Sequence, residues 1–319
     1  MSATLDGVPA GTVELGRHLL ATARAALGGP ASATEHEVVD HLTLGRRCGA
    51  AAPSVPVDVG LGWVCADLGA PGDRDAFDRL LDVLGPGPHD PDLVAGRAQE
   101  WRLPVTPYRS SARPPYRSCL PETDATRRMV GARVVDLTAM WAGPLTTRLL
   151  AEAGAEVETV EAACRPDGLR GTPAMFEHLA AGKRRHDLDL RQPDARAALL
   201  DLVADADVVV ESFSPRVMPN FGLDAAALGA VNPDVLVVSM PAFAPGSPER
   251  DWVAYGTGVH AISGLGVDAG DRAWAPSVTY PDPLAGLAAF AAICVARAAG
   301  VRGRHLVVPL EAAVAVLGR

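Results

Sequence analysis

Residues 134–161 read VVDLTAMWAGPLTTRLLAEAGAEVETVE, and this stretch decides the fold. It contains a β-favouring run, a Gly-Pro turn, an amphipathic run and a second β-favouring run, which is the pattern of a strand-helix-strand unit. Leu145, Leu149 and Leu150 fall on one helix face, and Gly154 follows where a helix end favours a residue of positive φ. Two parallel strands joined in this way need a right-handed crossover, so the unit predicts a parallel sheet covered by helices.

The alternation of strands and helices continues through the rest of the chain. The segments 207–212 and 234–240 are continuous apolar runs, which are typical of strands buried on both faces of a parallel sheet. A short strand is predicted at 186–190, and Pro193 begins a helix, a position that proline tolerates well. Residues 131–319 are therefore predicted to form a large α/β domain, a Rossmann-like parallel sheet with flanking helices.

Residues 1–109 predict a smaller α+β domain placed before the sheet. An amphipathic helix ends at Gly28-Gly29-Pro30, and short β-rich pieces at 54–59 and 62–65 are followed by helical runs. Residues 110–130 are rich in Ser, Pro and Arg and have no sustained period, so we interpret them as a linker.

Composition limits the classes of partner. The chain has 319 residues, a formal net charge of −9 and a pI near 5.4. Nucleic acid is bound mainly by clustered Lys and Arg, so a nucleic-acid partner is not expected. The 29 basic residues include a single lysine, Lys183, which is either chance or a place where a compact ammonium group is needed.

The cysteines and the hydropathy pattern predict a cytoplasmic protein. Five widely spaced cysteines include no C-x-x-C pair, so neither a disulfide framework nor a zinc site is expected. The longest apolar stretch, residues 284–299, is short and rich in Ala, and the N-terminus lacks the pattern of a signal peptide. We therefore expect no metal cofactor and no membrane association.

Candidate ligand-binding loops follow from the predicted sheet. In open parallel sheets, ligands bind at the carboxyl ends of the strands, and anions favour helix N-termini. The loops at 139–144, 211–215 and 240–247 have this position. The sequence contains neither G-x-G-x-x-G after the first strand nor a Walker motif, so it indicates neither a dinucleotide nor a nucleoside triphosphate.

Six segments occur in an order and spacing that resemble the family III CoA-transferases of the CaiB/BaiF type, which include the α-methylacyl-CoA racemases. They are the central stretch, GKRRHDLDLRQPDAR, DVVVESFSPRVMPNFGLD, VNPDVLVVSM, AYGTGVHAISGLG and YPDPLAGLAAFAA. GWVCADLG and AQEWRLPVTPYR resemble strands of the family's small domain, which normally comes late in the chain. The resemblance implies a homodimer that acts on a small acyl thioester of coenzyme A or a related carboxylate.

The resemblance also implies a change at the usual nucleophile. The family's transferases attack the acyl-CoA thioester with an aspartate and pass through an anhydride and an enzyme-CoA thioester. In this sequence the corresponding position, directly after Tyr255, is Gly256. Because glycine has no side chain, covalent catalysis is not expected to start from this position.

The racemases of the family use a neighbouring His and Asp and a further carboxylate to remove and return the α-proton. Tyr255 stands where they have the histidine, and Asp282 matches the further carboxylate. His260 lies one helical turn after Gly256, so His260 and Asp282 are expected to face one cleft and to perform acid/base chemistry. Alternatively, His260 is a satisfied polar residue and Asp282 is the N-cap before Pro283.

CoA contacts are predicted at two places. Lys183, Arg184, Arg185 and Arg216 are candidates for binding its phosphates, although exposed surface charges are an equally good interpretation. The turn Ala142-Gly143-Pro144 lies in the first of the candidate loops. No metal ligand set is predicted.

Three hypotheses about function follow. The first is an enzyme of this family that acts by proton transfer through His260, Tyr255 and Asp282. The second is CoA transfer with another carboxylate, such as Asp251, in place of the missing aspartate. The third is a catalytically silent relative that binds a ligand or a partner.

Overall fold

The computed structural model describes residues 8–9, 11–50, 54–111 and 125–317. Three helices come first: α1 (Thr12–Ala26), α2 (Glu35–Leu42) and α3 (Leu44–Arg47). The next segment contains three strands and two helices: β1 (Pro56–Asp58), β2 (Trp63–Ala66), α4 (Asp73–Leu84), α5 (Pro91–Glu100) and β3 (Val105–Pro107).

The remaining residues form the large sheet and its helices. Its strands are β4 (Arg133–Leu137), β5 (Glu156–Glu161), β6 (Lys183–Asp187), β7 (Val208–Glu211), β8 (Leu236–Ser239) and β9 (Arg304–Val307). Its helices are α6 (Ala142–Glu152), α7 (Pro173–Ala180), α8 (Pro193–Ala204), α9 (Val217–Asn220), α10 (Ala225–Val231), α11 (Gly256–Ile262), α12 (Pro281–Ala298) and α13 (Leu310–Val314). A 3₁₀ turn lies at Gly168–Gly171.

The large sheet has the strand order β6-β5-β4-β7-β8-β9, and every neighbouring pair is parallel. Numbered within the sheet, this is the order 3-2-1-4-5-6 of a doubly wound Rossmann-like fold. The predicted fold class is therefore confirmed. The order reverses between β4 and β7, and ligands of such sheets bind in the crevice outside the carboxyl ends of the strands at this point.

The predicted strand-helix-strand unit is β4-α6-β5. Gly154 has φ +97° directly after α6, where a residue with a side chain would be strained. The next strand, β6, begins at Lys183 rather than at the predicted residue 186. It is an edge strand with exposed arginine side chains, so hydrophobic patterning did not reveal its first half.

Helix α12 is the central element of the largest hydrophobic core. It packs against α1, α6 and α13. Its length and composition would allow it to cross a membrane, but 78% of it is buried inside the structure, as expected of a core helix.

The N-terminal residues divide between two cores. Side chains of α1 and α2, such as Leu20, Val38 and Leu42, belong to the same core as α12. Strands β1, β2 and β3 form an antiparallel sheet whose own core includes Phe77 and Val94. The predicted small domain of residues 1–109 is therefore divided. Its first helices pack on the large domain, whereas β1, β2, α4, α5 and β3 form a separate small unit. Much of the predicted linker lies outside the described residues.

Candidate active site

A cleft of about 810 Å³ lies outside the carboxyl ends of the large sheet, at the point where the strand order reverses. Its walls come from the ends of β4, β5, β6 and β7, the start of α6, the residues around the start of α11, and Asp282 at the start of α12. Arg102 and Asp73 of the small unit also reach it. Its volume is within the usual range of ligand pockets, about 300–1,000 Å³.

Ala142, Gly143 and Pro144 form the first turn of α6 and line one wall of the cleft. A Cβ at Gly143 would overlap the side chain of Thr138, so this close approach of α6 to the end of β4 requires glycine. Before the helix, Met140 has the unusual φ of 68°, and its backbone N–H donates to the carboxylate of Asp167 at 3.1 Å. The hydrogen bond between Met140 and Asp167 therefore stabilises this wall.

Lys183 also stabilises this wall through contacts with α6. Its side chain is only 2% exposed, and its ammonium group lies 3.1 Å from Asp136 Oδ2. It also donates to Thr147 Oγ1 at 2.6 Å and to the carbonyl oxygen of Pro144 at 3.0 Å. These partners use all three N–H donors, so the structure gives Lys183 a structural place rather than a free charge for phosphate. It also explains why a compact ammonium stands here.

Two of the arginines predicted to bind phosphate lie outside the cleft, and the third, Arg185, lines it. Arg184 is 68% exposed and pairs with Glu158, and Arg216 is exposed at the start of α9; neither is among the described residues that line the cleft. Side chains alternate along a strand, so Arg185 has the opposite orientation to Arg184 and reaches the cleft.

The cleft is also lined by arginines that the sequence analysis did not single out. They are Arg102, Arg165 and Arg191. Arg191 forms an ion pair with Asp189 at 2.8 Å, and Arg102 donates to the carbonyl oxygen of Asp251 at 3.1 Å. Arg102, Arg165 and Arg191 come from segments far apart in the sequence, which is why no single motif revealed them.

Asp282 brings a carboxylate into the cleft. Its side chain is buried, with 8% of the residue exposed, and it lines the cleft at the start of α12. Its carboxylate accepts a hydrogen bond from the backbone N–H of Gly256 at the start of α11. A Cβ added at Gly256 would overlap this carboxylate, only 2.8 Å from Asp282 Cγ. Gly256 therefore leaves the space that the carboxylate of Asp282 fills.

The environment of Asp282 raises its pKa to about 7. Burial is the main cause, and the negative charge of Asp67 adds to it, whereas the backbone N–H groups of Asp282 and Gly256 act in the opposite direction. A carboxyl group with a pKa near neutrality, in a cleft, is a candidate for both proton transfer and nucleophilic attack.

Tyr255 and Asp251 occupy different places. Tyr255 immediately precedes α11, is 40% exposed and lines the cleft near Asp282. Burial is the main cause that raises its pKa above the ordinary value of 10. Asp251 pairs with Arg250 at 3.5 Å and is not among the described residues that form the cleft wall. The structure therefore brings Tyr255 and Asp282 together and leaves Asp251 aside.

His260 lies on α11 but does not face the cleft. It is fully buried, and its Nε2–H donates to the carbonyl oxygen of Trp274 at 3.2 Å, while Nδ1 accepts from the Tyr280 hydroxyl at 2.8 Å. Burial lowers its pKa to about 4. All seven residues of α11 are buried, so sharing a helix with Gly256 does not expose His260 to the same cavity. The expected shared cleft for His260 and Asp282 is not present.

Comparison with known proteins shows which family the chain matches. Residues 129–317, more than half of the chain, match CoA-transferase family III. The chain belongs to this family. The match contains the large sheet, α11 and α12, and begins after the small unit, so every residue that forms the Gly256–Asp282 contact lies within it.

Two curated relatives are CoA-transferases. The chain is 32% identical over 170 residues to succinyl-CoA–D-citramalate CoA-transferase of Chloroflexus aurantiacus, which covers 49% of this chain and 40% of that protein. It is 33% identical over 162 residues to formyl-CoA:oxalate CoA-transferase of Bradyrhizobium sp., which covers 48% of this chain and 38% of that protein. The chain therefore spans less than half the length of these relatives.

A solved structure shares the fold. The crystal structure of a CaiB/BaiF family protein from Brucella suis matches with a TM-score of 0.53 and 28% identity, over 59% of this chain and 54% of that protein. The predicted family is thus confirmed by the sequence match and by the structure.

Proposed function

We propose that this family III protein transfers CoA between an acyl-CoA and a carboxylate, with Asp282 as the attacking carboxylate. One observation carries the proposal: the Asp282 carboxylate fills the space beside Gly256 that a side chain at position 256 would enter. By the family resemblance, position 256 is where the transferases have their aspartate. A carboxylate is thus present near the expected place, although it comes from another helix.

The chemistry follows from a carboxylate nucleophile. An ionised oxygen of Asp282 attacks the thioester carbonyl, the C–S bond breaks, and a mixed anhydride and CoA thiolate form. The thiolate then attacks the Asp282 carbonyl carbon, which releases the first carboxylate and leaves CoA as a thioester on Asp282. An acceptor carboxylate attacks this thioester and forms a second anhydride, and CoA thiolate attacks its acyl carbon to give the new acyl-CoA and free Asp282. No net proton is taken up or released.

The cleft offers a suitable place for CoA. Arg165, Arg185 and Arg191 supply guanidinium groups for its phosphates, because Arg favours bidentate phosphate contacts. Phe176 also lines the cleft, with the guanidinium of Arg185 5.6 Å from its ring centroid. The start of α6 lines the same cleft as these arginines and Asp282.

A second function is favoured by the protonation of Asp282. A carboxyl group with a pKa of about 7 is well matched to remove a proton at neutral pH, so Asp282 also suits abstraction of the α-proton of an acyl-CoA. Because His260 is buried away from the cleft, this version uses Asp282 with Tyr255 on the same wall.

Mass spectrometry of acyl-CoA esters tests both functions in one sample. The protein is incubated in deuterated water with acetyl-, propionyl- and succinyl-CoA and with ¹⁸O-labelled formate, oxalate and succinate as acceptors. Transfer gives new acyl-CoA esters, and proton abstraction gives deuterium at the α-carbon. Asp282→Asn is expected to abolish transfer by at least ~10³-fold, because it removes the nucleophile. Asp251→Asn is the matched control and is expected to retain activity.

The outcomes separate the hypotheses. Hydroxylamine added during turnover is expected to convert Asp282 to a hydroxamate, detected in its peptide. Deuterium uptake that Asp282→Asn abolishes, without transfer, would replace the first function with the second. If Asp282→Asn transferred CoA at the wild-type rate, the proposed role of Asp282 would be refuted. Absence of both reactions with every ester would favour the binding protein of the third hypothesis.

The cytoplasmic location and the homodimer stay predictions. We propose the dimer on the family resemblance alone, and light scattering of the purified protein measures it directly.

A further inference from the structure

A second carboxyl group binds the same helix start as the proposed nucleophile, and it comes from the small unit. Asp67 follows β2, and its Oδ1 accepts from the Thr257 hydroxyl at 2.5 Å and from the Ser54 hydroxyl at 2.6 Å. The backbone N–H of Gly258 also donates to it. Asp67 therefore bonds to the first turn of α11, one residue after the N–H that binds Asp282.

The surroundings of Asp67 make its charge costly. Burial is the main cause that raises its pKa above 3.8, and its hydrogen bonds act against this rise. Within the described ranges, Oδ2 of Asp67 is buried without a hydrogen-bond partner. Its contacts are hydroxyl, thiol and backbone N–H groups, so its negative charge is balanced by dipoles rather than by a cation.

The groups that face the pair come from several elements. Tyr255 interacts with the charges of Asp67, Asp73, Arg165 and Asp282. Cys65 of β2 also bonds to Asp67, and burial raises the pKa of this thiol, so it stays neutral. Arg165 is a cation that acts on Tyr255. Burial is the largest cause of the raised pKa of Asp282, and the negative charge of Asp67 is the second.

We propose that Asp67 is a positioning residue for Asp282: it binds the start of α11, whose Gly256 N–H donates to the Asp282 carboxylate, and it contributes a second negative charge that acts on that carboxylate. This inference rests on the proposed function of Asp282 for its catalytic meaning. It makes the small unit, which lies outside the residues that match the family, part of the active site.

The titrations of the two carboxyl groups are coupled. Four hydrogen bonds favour the ionised form of Asp67, and its negative charge disfavours the ionisation of Asp282, because two interacting acids share their titration steps. Burial in the first place, and the charge of Asp67 in the second, keep a proton on Asp282 until the pH approaches neutrality. A more basic carboxylate is the better nucleophile or base once it is ionised, so the charge of Asp67 contributes to the reactivity of Asp282.

Two variants separate charge from structure. Asp67→Asn keeps an oxygen that accepts from Thr257 and Ser54 but removes the charge. Thr257→Val keeps the charge but removes the shortest bond to the helix start. If Asp67 acts through its charge, only the first variant lowers the pH at which Asp282 ionises, by roughly one pH unit.

The titration is followed by ¹³C NMR of protein labelled at aspartate carboxyl carbons, with the Asp282 signal assigned by its loss in Asp282→Asn. The wild-type midpoint is expected near 7. An Asp67→Asn midpoint within ~0.3 pH units of wild type, or an equal shift in Thr257→Val, would overturn the inference. Asp67→Ser, which needs less space, serves the same test if the asparagine variant does not fold.

Kinetics distinguish failure of this inference from failure of the proposed function. The acidic limb of the pH profile of kcat/KM for CoA transfer is expected to move with the NMR midpoint in Asp67→Asn. Loss of transfer in Asp282→Asn with an unmoved limb in Asp67→Asn would refute the role of Asp67 alone. Full transfer in Asp282→Asn would refute the function of Asp282, while the NMR titration would still decide how Asp67 acts on it.

Discussion

The burial of Asp282 predicts a pH-dependent cost to stability that Asp282→Asn removes. The folded-state pKa of Asp282 is about 7, whereas the ordinary value, which applies to the unfolded chain, is 3.8. Below pH 3.8 the group is protonated in both states and costs no ionisation energy. As the pH rises from 3.8 to 7, the unfolded chain ionises and the folded protein does not, so the free energy of unfolding falls. Above pH 7 the cost is complete.

The pKa difference sets the size of the effect. It corresponds to about 4 kcal/mol, with a slope of about 1.4 kcal/mol per pH unit between the two pKa values. This is a large share of the stability of a typical domain, about 5–15 kcal/mol. Asparagine has no ionisable group and keeps an oxygen for the Gly256 N–H. The stability of Asp282→Asn relative to wild type is therefore expected to rise by about 4 kcal/mol from pH 4 to pH 8.

Urea unfolding followed by tryptophan fluorescence, from pH 4 to pH 8, measures this difference directly. Asp201→Asn is the control: its exposed side chain on α8 stays in water in both states, so its curve is expected to run parallel to that of wild type. A difference between Asp282→Asn and wild type that stays constant within about 1 kcal/mol across this range would refute the reasoning about burial.

Two further predictions concern the basic residues. Lys183→Met is expected to lower the free energy of unfolding by about 3–5 kcal/mol because it leaves Asp136 buried without its cation, and Lys183→Met/Asp136→Leu is expected to regain most of this loss in urea unfolding. A double variant as unstable as the single one would contradict the ion pair's role. Arg185→Ala is expected to weaken CoA binding by about tenfold in calorimetry, whereas Arg184→Ala, on the other face of β6, changes it by less than about twofold; equal effects would contradict the cleft assignment.

Local patterns in the sequence predicted most of the large domain. The apolar runs became the buried strands β7 and β8, and Gly154 followed the end of α6 as expected. Gly143 and Pro144, which were interpreted as a turn before the helix, lie in its first turn. The edge strand β6 was placed late because its first residues are charged. The division of the N-terminal residues was missed, because an amphipathic helix shows that it has an apolar face but not which core receives that face.

The candidate site was predicted in part. Tyr255 and Asp282 were found from the family resemblance and line one cleft. His260 was placed with them by helical spacing, but that argument assumes a helix with one buried face, and α11 is buried on every side. Asp67 gave no signal, because its partner Thr257 lies 190 residues further along the chain.

The sequence by itself determined the doubly wound sheet, the family and the absence of a side chain at Gly256, because each depends on neighbouring residues and their order. Only the tertiary structure decided what fills the space beside Gly256, which charge Lys183 neutralises, and which arginines face the cleft. The physical reason is that a carboxylate's reactivity depends on burial and on charges within a few ångströms, and packing brings these from segments that lie far apart in the chain.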